Sequence, residues 1–162
     1  MKRKTKALFV GLLAMIMSTS FISCDQAYGG GLLGGNGGQS TEIDVTYQIV
    51  LSGQSEEKIT MVEIKVLTLE GQCTLMDVME KAKQAGDLSF EVSNGMVTSI
   101  NGVANPADWS KCWILFTSDA EMSNTAWGTI TYNDVTLGSA VVGADALDIL
   151  AGETYVWSYQ SL

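Results

Sequence analysis

One stretch of the sequence has the spacing of an amphipathic helix, and it constrains the fold more than any other stretch. Between residues 74 and 86, apolar residues recur at i, i+3, i+4 and i+7, which places them on one helix face. Thr74 and Asp77 have the spacing of a capping box, and Gly86 suits the left-handed residue that ends a helix. We therefore predict a helix over Thr74–Ala85.

The segments on both sides of this helix have the pattern of strands. Two alternating runs precede it and predict a hairpin, Ile43–Leu51 and Val62–Val66. The strands predicted after it are Leu88–Val92, Met96–Ile100, Cys112–Phe116, Trp127–Tyr132, Val135–Leu137 and Thr154–Tyr159. Asn94-Gly95 suits a type I′ turn, and the unbroken apolar run Cys112–Phe116 indicates a strand covered on both faces. This order predicts an α+β fold, a mostly antiparallel sheet packed on one helix.

The first 23 residues have the parts of a secretory signal peptide. Four basic residues lie among the first six, the apolar run Ala7–Met17 follows, and a short, mostly polar segment leads to Cys24. The apolar run has eleven residues, whereas a membrane-spanning helix needs about 20. We therefore expect residues 1–23 to be removed and not to belong to the fold.

The end of the signal peptide, Phe21-Ile22-Ser23-Cys24, resembles a bacterial lipoprotein box, in which a peptidase cuts before a lipidated cysteine. The resemblance implies that Cys24 carries acyl chains, palmitate among them, and anchors the protein on the extracytoplasmic face of a membrane. Phe21 departs from the box, where leucine is usual. The alternative is an ordinary signal peptide that is cut nearby and leaves a thiol at Cys24.

Residues 24–40 are predicted to connect the anchor to the domain. Seven of the sixteen residues after Cys24 are glycine, a composition typical of a flexible tether. Sixteen such residues give an end-to-end distance of about 20–25 Å. The predicted domain, residues 41–162, therefore lies close to the membrane.

The charge of the chain argues against two classes of partner. Beyond the first six residues, five lysines face eighteen acidic residues, a net charge of −13. This charge disfavours binding to nucleic acid or to an anionic membrane surface. Solubility of an exported domain is the simpler explanation of the acidity, and attraction of cations or cationic ligands is the alternative.

The residue types needed for the common catalytic arrangements are missing. The chain contains no histidine, which excludes a Ser-His-Asp or Cys-His arrangement and zinc held by histidine. No glycine-rich segment follows a strand and opens a helix, as a phosphate cradle requires. Asp119, Glu121 and Asn124 offer oxygen ligands for calcium but lack EF-hand spacing, so a solvated loop is the simpler interpretation. We predict that the protein is not an enzyme and holds no resident metal or cofactor.

Two cysteines lie in the predicted domain. Cys73 precedes the helix, and Cys112 opens a predicted buried strand. An even pair in an exported domain permits a disulfide. Two buried thiols are the preferred alternative, because cysteine is often simply a core residue.

Three segments of the second half carry a resemblance: Met96–Gly102, Trp113 on its predicted strand, and Gly152–Tyr159. They look like a bacterial family of unknown function that is similar to the C-terminal domain of transcobalamin and intrinsic factor. The resemblance covers about Ile43–Tyr159 and implies a β-grasp-like domain of the soluble-ligand-binding type on a secreted or surface-anchored protein. Thr117–Thr125 departs from the family, which has a short aromatic strand and an Asn-Gly turn there.

The resemblance also implies candidate ligands and contacts. In the vertebrate carriers this domain covers a corrin ring that a separate helical barrel also holds, and without that barrel a corrinoid would be held by half a site. The second half is rich in aromatic residues, which can stack on a corrin, a sugar or a peptide ring. Most of them are expected to fill the core. Trp109 and Trp127 lie beside predicted loops and are the candidate ligand contacts, together with Asn101.

Two classes of function follow from these expectations. The first is a membrane-anchored lipoprotein that holds a small ligand, such as a corrinoid or a glycan, outside the cell. The second is a structural or protein-interaction module of the cell surface, which pairs with a protein partner through an exposed strand edge.

Overall fold

The computed structural model describes residues 44–53 and 59–162. The described elements are β1 Val45–Ser52, β2 Met61–Leu69, α1 Leu75–Ala85, β3 Phe90–Ser93, β4 Met96–Ile100, β5 Val103–Ala104, β6 Lys111–Thr117, β7 Ser123–Tyr132, β8 Val135–Ala140 and β9 Thr154–Ser161. The predictions for the signal peptide, for Cys24 and for the tether lie outside the described residues. Within the described ranges, α1 is too short and too polar to cross a membrane.

The predicted helix is confirmed, with both predicted ends. The Thr74 hydroxyl accepts a hydrogen bond from the Asp77 backbone at 3.3 Å, and the Asp77 carboxylate accepts one from the Thr74 backbone at 2.8 Å. Gly86 has a φ of 83° and donates to the carbonyls of the last turn. The four residues of the apolar face are fully buried; they are Leu75, Val78, Met79 and Ala82.

Replacing Thr74 with alanine is expected to lower the free energy of unfolding by about 1 kcal/mol, because the capping side chain is lost. Thr74→Ser keeps the hydroxyl and is the matched control, for which we expect a change of only a few tenths of a kcal/mol. Urea unfolding of the three proteins measures both differences. Equal midpoints for Thr74→Ala and the unmutated protein would contradict the assigned cap.

The strands form a large sheet and a small one, and every described pairing is antiparallel. The large sheet has the order β1-β2-β9-β6-β8-β7, and the small sheet has the order β3-β4-β5. Strand β9 lies in the middle of the large sheet, where Tyr155 is opposite Ile64 of β2 and Trp157 is opposite Leu115 of β6. The prediction of an α+β fold with a mostly antiparallel sheet and one helix is therefore confirmed.

Two strand predictions needed correction. Strand β7 begins at Ser123, although the polar segment before Trp127 predicted a loop. Its pairing with β8 is interrupted between Asn124 and Thr129, and such a bulge removes the alternation on which a strand prediction depends. Asn101-Gly102, predicted only to end a strand, forms a second hairpin turn and leads into the two-residue strand β5.

Both faces of the large sheet carry apolar clusters. The main core includes the apolar face of α1 and, from the sheet, Trp113, Leu115 and Trp157. A second, smaller cluster contains Phe116, Leu137 and Val156. Strand β6 thus contributes to both clusters, as its unbroken apolar sequence predicted.

The segment between β8 and β9 is attached to the start of the helix. The backbone N–H groups of Leu75 and Met76 donate to the carbonyls of Leu147 and Ala144, each at 2.8 Å. These N–H groups belong to the first turn, where a helix has no internal acceptors. The helix therefore holds this segment at Ala144 and Leu147, and Ala144 lines the pocket described next.

Candidate functional site

An apolar pocket of about 390 Å³ lies over strands β6 and β9. Its walls come from the β3–β4 turn, the loop after β5, the end of β8 and the segment fixed by the helix. The lining residues are Gly95, Met96, Val97, Asn105, Trp109, Cys112, Trp113, Ile114, Leu115, Ser139, Ala140, Val142, Gly143, Ala144, Trp157 and Leu162. Several of them are exposed, which shows that the pocket opens to solvent; they are Met96, Trp109 and Leu162.

One wall of the pocket is held by hydrogen bonds to the end of the large sheet. The indole N–H of Trp113 donates to the Val103 carbonyl at 2.8 Å, and its backbone N–H donates to Asn105 Oδ1 at 3.1 Å. The Tyr159 hydroxyl donates to the Ala104 carbonyl at 3.1 Å. These bonds attach residues 103–105, which lead into the loop that carries Trp109, to the end of the sheet.

Trp109 lies at the rim of the pocket, with 44% of its surface exposed. Its φ of 55° is unusual for a bulky residue. The turn is held by a hydrogen bond from its N–H to the Pro106 carbonyl and by bonds from Ser110 to the Asp108 carboxylate. The bonds from Ser110 lower the pKa of Asp108. Of the predicted ligand contacts, Trp109 is the one that lines this pocket.

Trp127 and Asn101 do not line this pocket. Trp127 is on β7 and is 65% exposed. The Asn101 side-chain oxygen accepts hydrogen bonds from the backbone and hydroxyl of Ser89, at 2.9 and 3.3 Å. Asn101 therefore connects the second hairpin turn to Ser89, which lies between α1 and β3. Its side-chain oxygen already accepts hydrogen bonds from Ser89.

Trp157 is one of the pocket residues that the sequence did not reveal. Its side chain lines the pocket and is only 5% exposed. Within the part of the chain that the structure describes, its indole N–H is the one buried side-chain polar atom without a hydrogen-bond partner. Buried tryptophan N–H groups normally have a partner. Alternation placed Trp157 on the core face of its strand, but no sequence pattern indicates that its donor is left unpaired.

The side chains that line the pocket carry no charge. The polar ones are Asn105, Ser139 and Cys112, apart from the indole groups. Burial raises the pKa of the Cys112 thiol above its usual value, so this cysteine is a weak nucleophile near neutral pH. The lining is therefore mostly apolar surface with few polar groups.

The structure has Cys73 and Cys112 as separate thiols, the first buried and the second half-buried. Cys112 is opposite Gln160 near one end of β9. The Cys73 carbonyl accepts from Ile149, next to Leu150, whose N–H donates to the Tyr155 hydroxyl. The two cysteines are not bonded to each other in the structure, and the choice between a disulfide and two thiols stays a prediction.

The described residues contain no group of three or more side chains that could hold a metal ion. In the segment predicted to offer calcium ligands, the Asp119 carboxylate accepts a hydrogen bond from the Glu121 backbone at 2.9 Å. Asn124 accepts one from Ala126 at the same distance. Both side chains thus stabilise local turns of their own segment.

Comparisons of the chain with protein-family models, with curated proteins and with solved structures gave no match.

Proposed function

We propose that the protein is a membrane-anchored, extracytoplasmic lipoprotein that binds a small ligand in the pocket over β6 and β9. The observation that carries this proposal is the pocket itself. Its volume of about 390 Å³ lies within the range of roughly 300–1,000 Å³ that small-molecule sites occupy. Its apolar and aromatic lining, with few polar groups, is also typical of such sites.

The proposal includes a β-grasp-like fold related to the C-terminal domain of transcobalamin. Three features support it. A hairpin precedes the helix, the helix connects it to the remaining strands, and β9 pairs with strands from both parts of the chain. All three segments that carry the resemblance contribute to the pocket, through Met96, Trp113 and Trp157.

The proposal also places lipid on Cys24. The support is the sequence alone: a basic start, a short apolar run and a lipoprotein box. Acyl chains contribute about 0.8 kcal/mol per buried methylene, and two or more chains anchor a protein stably.

Among the ligands named by the resemblance, the lining favours an apolar face over a sugar. A glycan needs many hydrogen bonds, and the side chain of Asn105, one of the few polar groups, already accepts a bond from Trp113. A corrinoid is larger than a drug-sized ligand, so this pocket would hold only part of one.

One observation favours a second function, that of a protein-interaction module. Trp127 is 65% exposed and lies on β7, an edge strand of the large sheet, away from the pocket. Exposed tryptophan is enriched at protein interfaces. In this alternative, β7 and its bulge meet a surface protein, and the pocket has no ligand.

A thermal unfolding screen tests the proposal. The compounds are cobalamin, haem, N-acetylglucosamine and 2-acetylnaphthalene. A compound that binds in the pocket, at 100 times its dissociation constant, is expected to add about 2.7 kcal/mol of stability. Ala140→Phe places a ring in the pocket and should remove most of this gain. Ala126→Phe makes the same substitution at an exposed position of β7 and should keep it.

Alkylation of Cys112 provides a second measurement on the unmutated protein. The half-buried thiol lines the pocket, so a bound compound should slow its reaction with iodoacetamide, followed by peptide mass spectrometry. A stability gain that Ala140→Phe retains in full, with no protection of Cys112, would place the ligand elsewhere. No gain with any compound, together with a protein that co-purifies through Trp127, would favour the interaction module.

A further inference from the structure

Strand β6 has one edge that is only partly paired, and this edge borders the pocket. We infer that the pocket takes a short, extended peptide without acidic side chains. The peptide pairs with the free edge of β6 and places one apolar side chain against the lining. The inference deepens the proposed function and rests on it, because it names the class of ligand for the same pocket.

The two edges of β6 differ in how far they are paired. Towards β9, every residue of Lys111–Thr117 has a partner, whereas towards β8 the pairing covers Phe116 and Thr117 alone. Strand β8 continues to pair with β7 as far as Ala140, so it leaves β6 and follows β7. Among the described residues, no strand therefore pairs with Lys111–Leu115 on that side.

One hydrogen bond shows which backbone groups face the free edge. The Trp113 N–H donates to Asn105 Oδ1 and therefore points away from β9. In an antiparallel ladder the N–H and C=O of one residue point to the same side, and those of the next residue point to the other. The Trp113 carbonyl and the Leu115 N–H therefore face the free edge, where no strand pairs with them. They offer one acceptor and one donor at the spacing of a strand backbone.

The pocket reaches this edge as well as one face of the sheet. Its lining includes four consecutive residues of β6, Cys112–Leu115. Successive side chains of a strand point to opposite faces, so a pocket confined to one face would be lined by every second residue. Ser139 and Ala140, where β8 separates from β6, also line it. The pocket therefore lies beside the free edge, in the place that an added strand would take.

The edge groups favour a peptide over an apolar molecule without amide groups. Backbone N–H and C=O groups that have no protein partner bond to water. A hydrocarbon placed against them removes this water and leaves them unpaired, which opposes binding. An extended peptide replaces the water with main-chain hydrogen bonds, while its alternate side chains fill adjoining pockets.

The volume and the lining of the pocket indicate the side chain that enters it. A cavity of about 150 Å³ holds one benzene molecule, so this pocket of about 390 Å³ has room for one large apolar side chain and the adjoining backbone. Trp113 and Leu115 lie on the same face of β6 and belong to the main core. A side chain of the added strand on that face contacts them, and Trp109 at the rim supplies an aromatic face.

The charge of the site disfavours acidic peptides. No charged side chain lines the pocket, so a carboxylate placed there would be desolvated without a partner. The chain has a formal net charge of −9, which repels acidic partners and attracts basic ones. The peptide should therefore be neutral or basic.

Methylated peptides test the inference, because N-methylation removes backbone donors and keeps the side chains. The parent peptide is Lys-Thr-Leu-Thr-Lys, acetylated and amidated at its ends. One analogue is methylated at the nitrogens of both threonines, and the other at those of the leucine and both lysines. Since the N–H groups of a strand alternate between its two edges, each analogue blocks one edge of the peptide.

Calorimetry on the full chain should show that one methylated analogue binds about tenfold more weakly than the parent, and that the other keeps most of its affinity. A peptide with glutamate in place of both lysines should bind more weakly than the parent. In ¹⁵N-labelled protein, the parent peptide should slow hydrogen exchange of the Leu115 amide. The Ile114 amide, which faces β9, should exchange at an unchanged rate and is the internal control.

Ala140→Phe should weaken binding of the parent peptide about tenfold, because the ring takes the space beside the edge. Ala126→Phe, at an exposed position of β7, should leave the affinity unchanged. If Ala140→Phe does not fold, the two methylated analogues decide on the unmutated protein.

Equal affinity of the two methylated analogues, with no change in Leu115 exchange, would overturn the inference and leave a pocket for apolar groups. Tighter binding of the acidic peptide would overturn it too. If no peptide binds but a compound of the thermal screen protects Cys112, the inference fails and the proposed function stands. Binding of neither would overturn both proposals.

Discussion

Met79→Ala is expected to lower the free energy of unfolding by about 3 kcal/mol. Met79 is fully buried on the apolar face of α1 and belongs to the main core. Its replacement removes the transfer free energy of the side chain and leaves a cavity, and such changes cost about 2–5 kcal/mol. Among residues 44–53 and 59–162, α1 is the one helix that packs on the main core.

Met76→Ala is the matched control, because it makes the same substitution one turn away at a half-buried position. We expect a loss of about 1 kcal/mol, in proportion to the smaller buried area. Urea unfolding of the two variants measures the difference between them. Similar losses for both variants would mean that the helix face is assigned incorrectly.

Stability is expected to fall steeply as the pH rises from about 10 to about 12. Burial raises the pKa of Tyr47, Tyr132 and Tyr155 to about 12, and the neighbouring acids Asp87 and Glu63 add to the shift of the first two. An unfolded tyrosine loses its proton near pH 10. Between these values the unfolded chain binds fewer protons than the folded one, so the free energy of unfolding decreases with pH.

The stability that depends on these protons is fully present below pH 10 and is lost as the pH rises through 12. A shift of two units corresponds to at most about 2.7 kcal/mol, and solvent reduces the contribution of the partly exposed Tyr132. We expect roughly 1–2 kcal/mol for each tyrosine. The expected total is therefore about 3–6 kcal/mol, measured by urea unfolding at a series of pH values. Tyr132→Phe should flatten the pH dependence by about a third. A curve that is level to pH 12, with all tyrosines ionising near pH 10 by absorbance, would contradict the prediction.

Local signals in the sequence were enough to predict most of the fold. The helix was predicted with its cap and its end, because Thr74, Asp77 and Gly86 act within a few residues of one another. Asn94-Gly95 specified its turn for the same reason. The bulge of β7 was not predicted, because it depends on pairing with β8, which a single strand does not reveal.

The pocket was predicted only in part, because it is a property of packing between distant segments. Trp109 was a candidate, since it lies beside turn-forming residues. Trp157 was assigned to the core face of its strand, which is where the structure has it. Whether its N–H finds an acceptor depends on the distant segments that pack against β9, and no spacing within β9 reports on them.

The central place of β9 has a consequence for how the molecule comes together. Met61 and Ser158 are opposite each other in the sheet, so their contact must close a loop of nearly one hundred residues. Such distant pairings slow folding, because the entropy of closing the loop is lost before the contacts form. During synthesis, the β1–β2 hairpin and the β6–β8–β7 strands therefore remain two separate parts of the sheet until β9 is made and pairs with both. A chain shortened by even the last eight residues would leave them unjoined and open to aggregation.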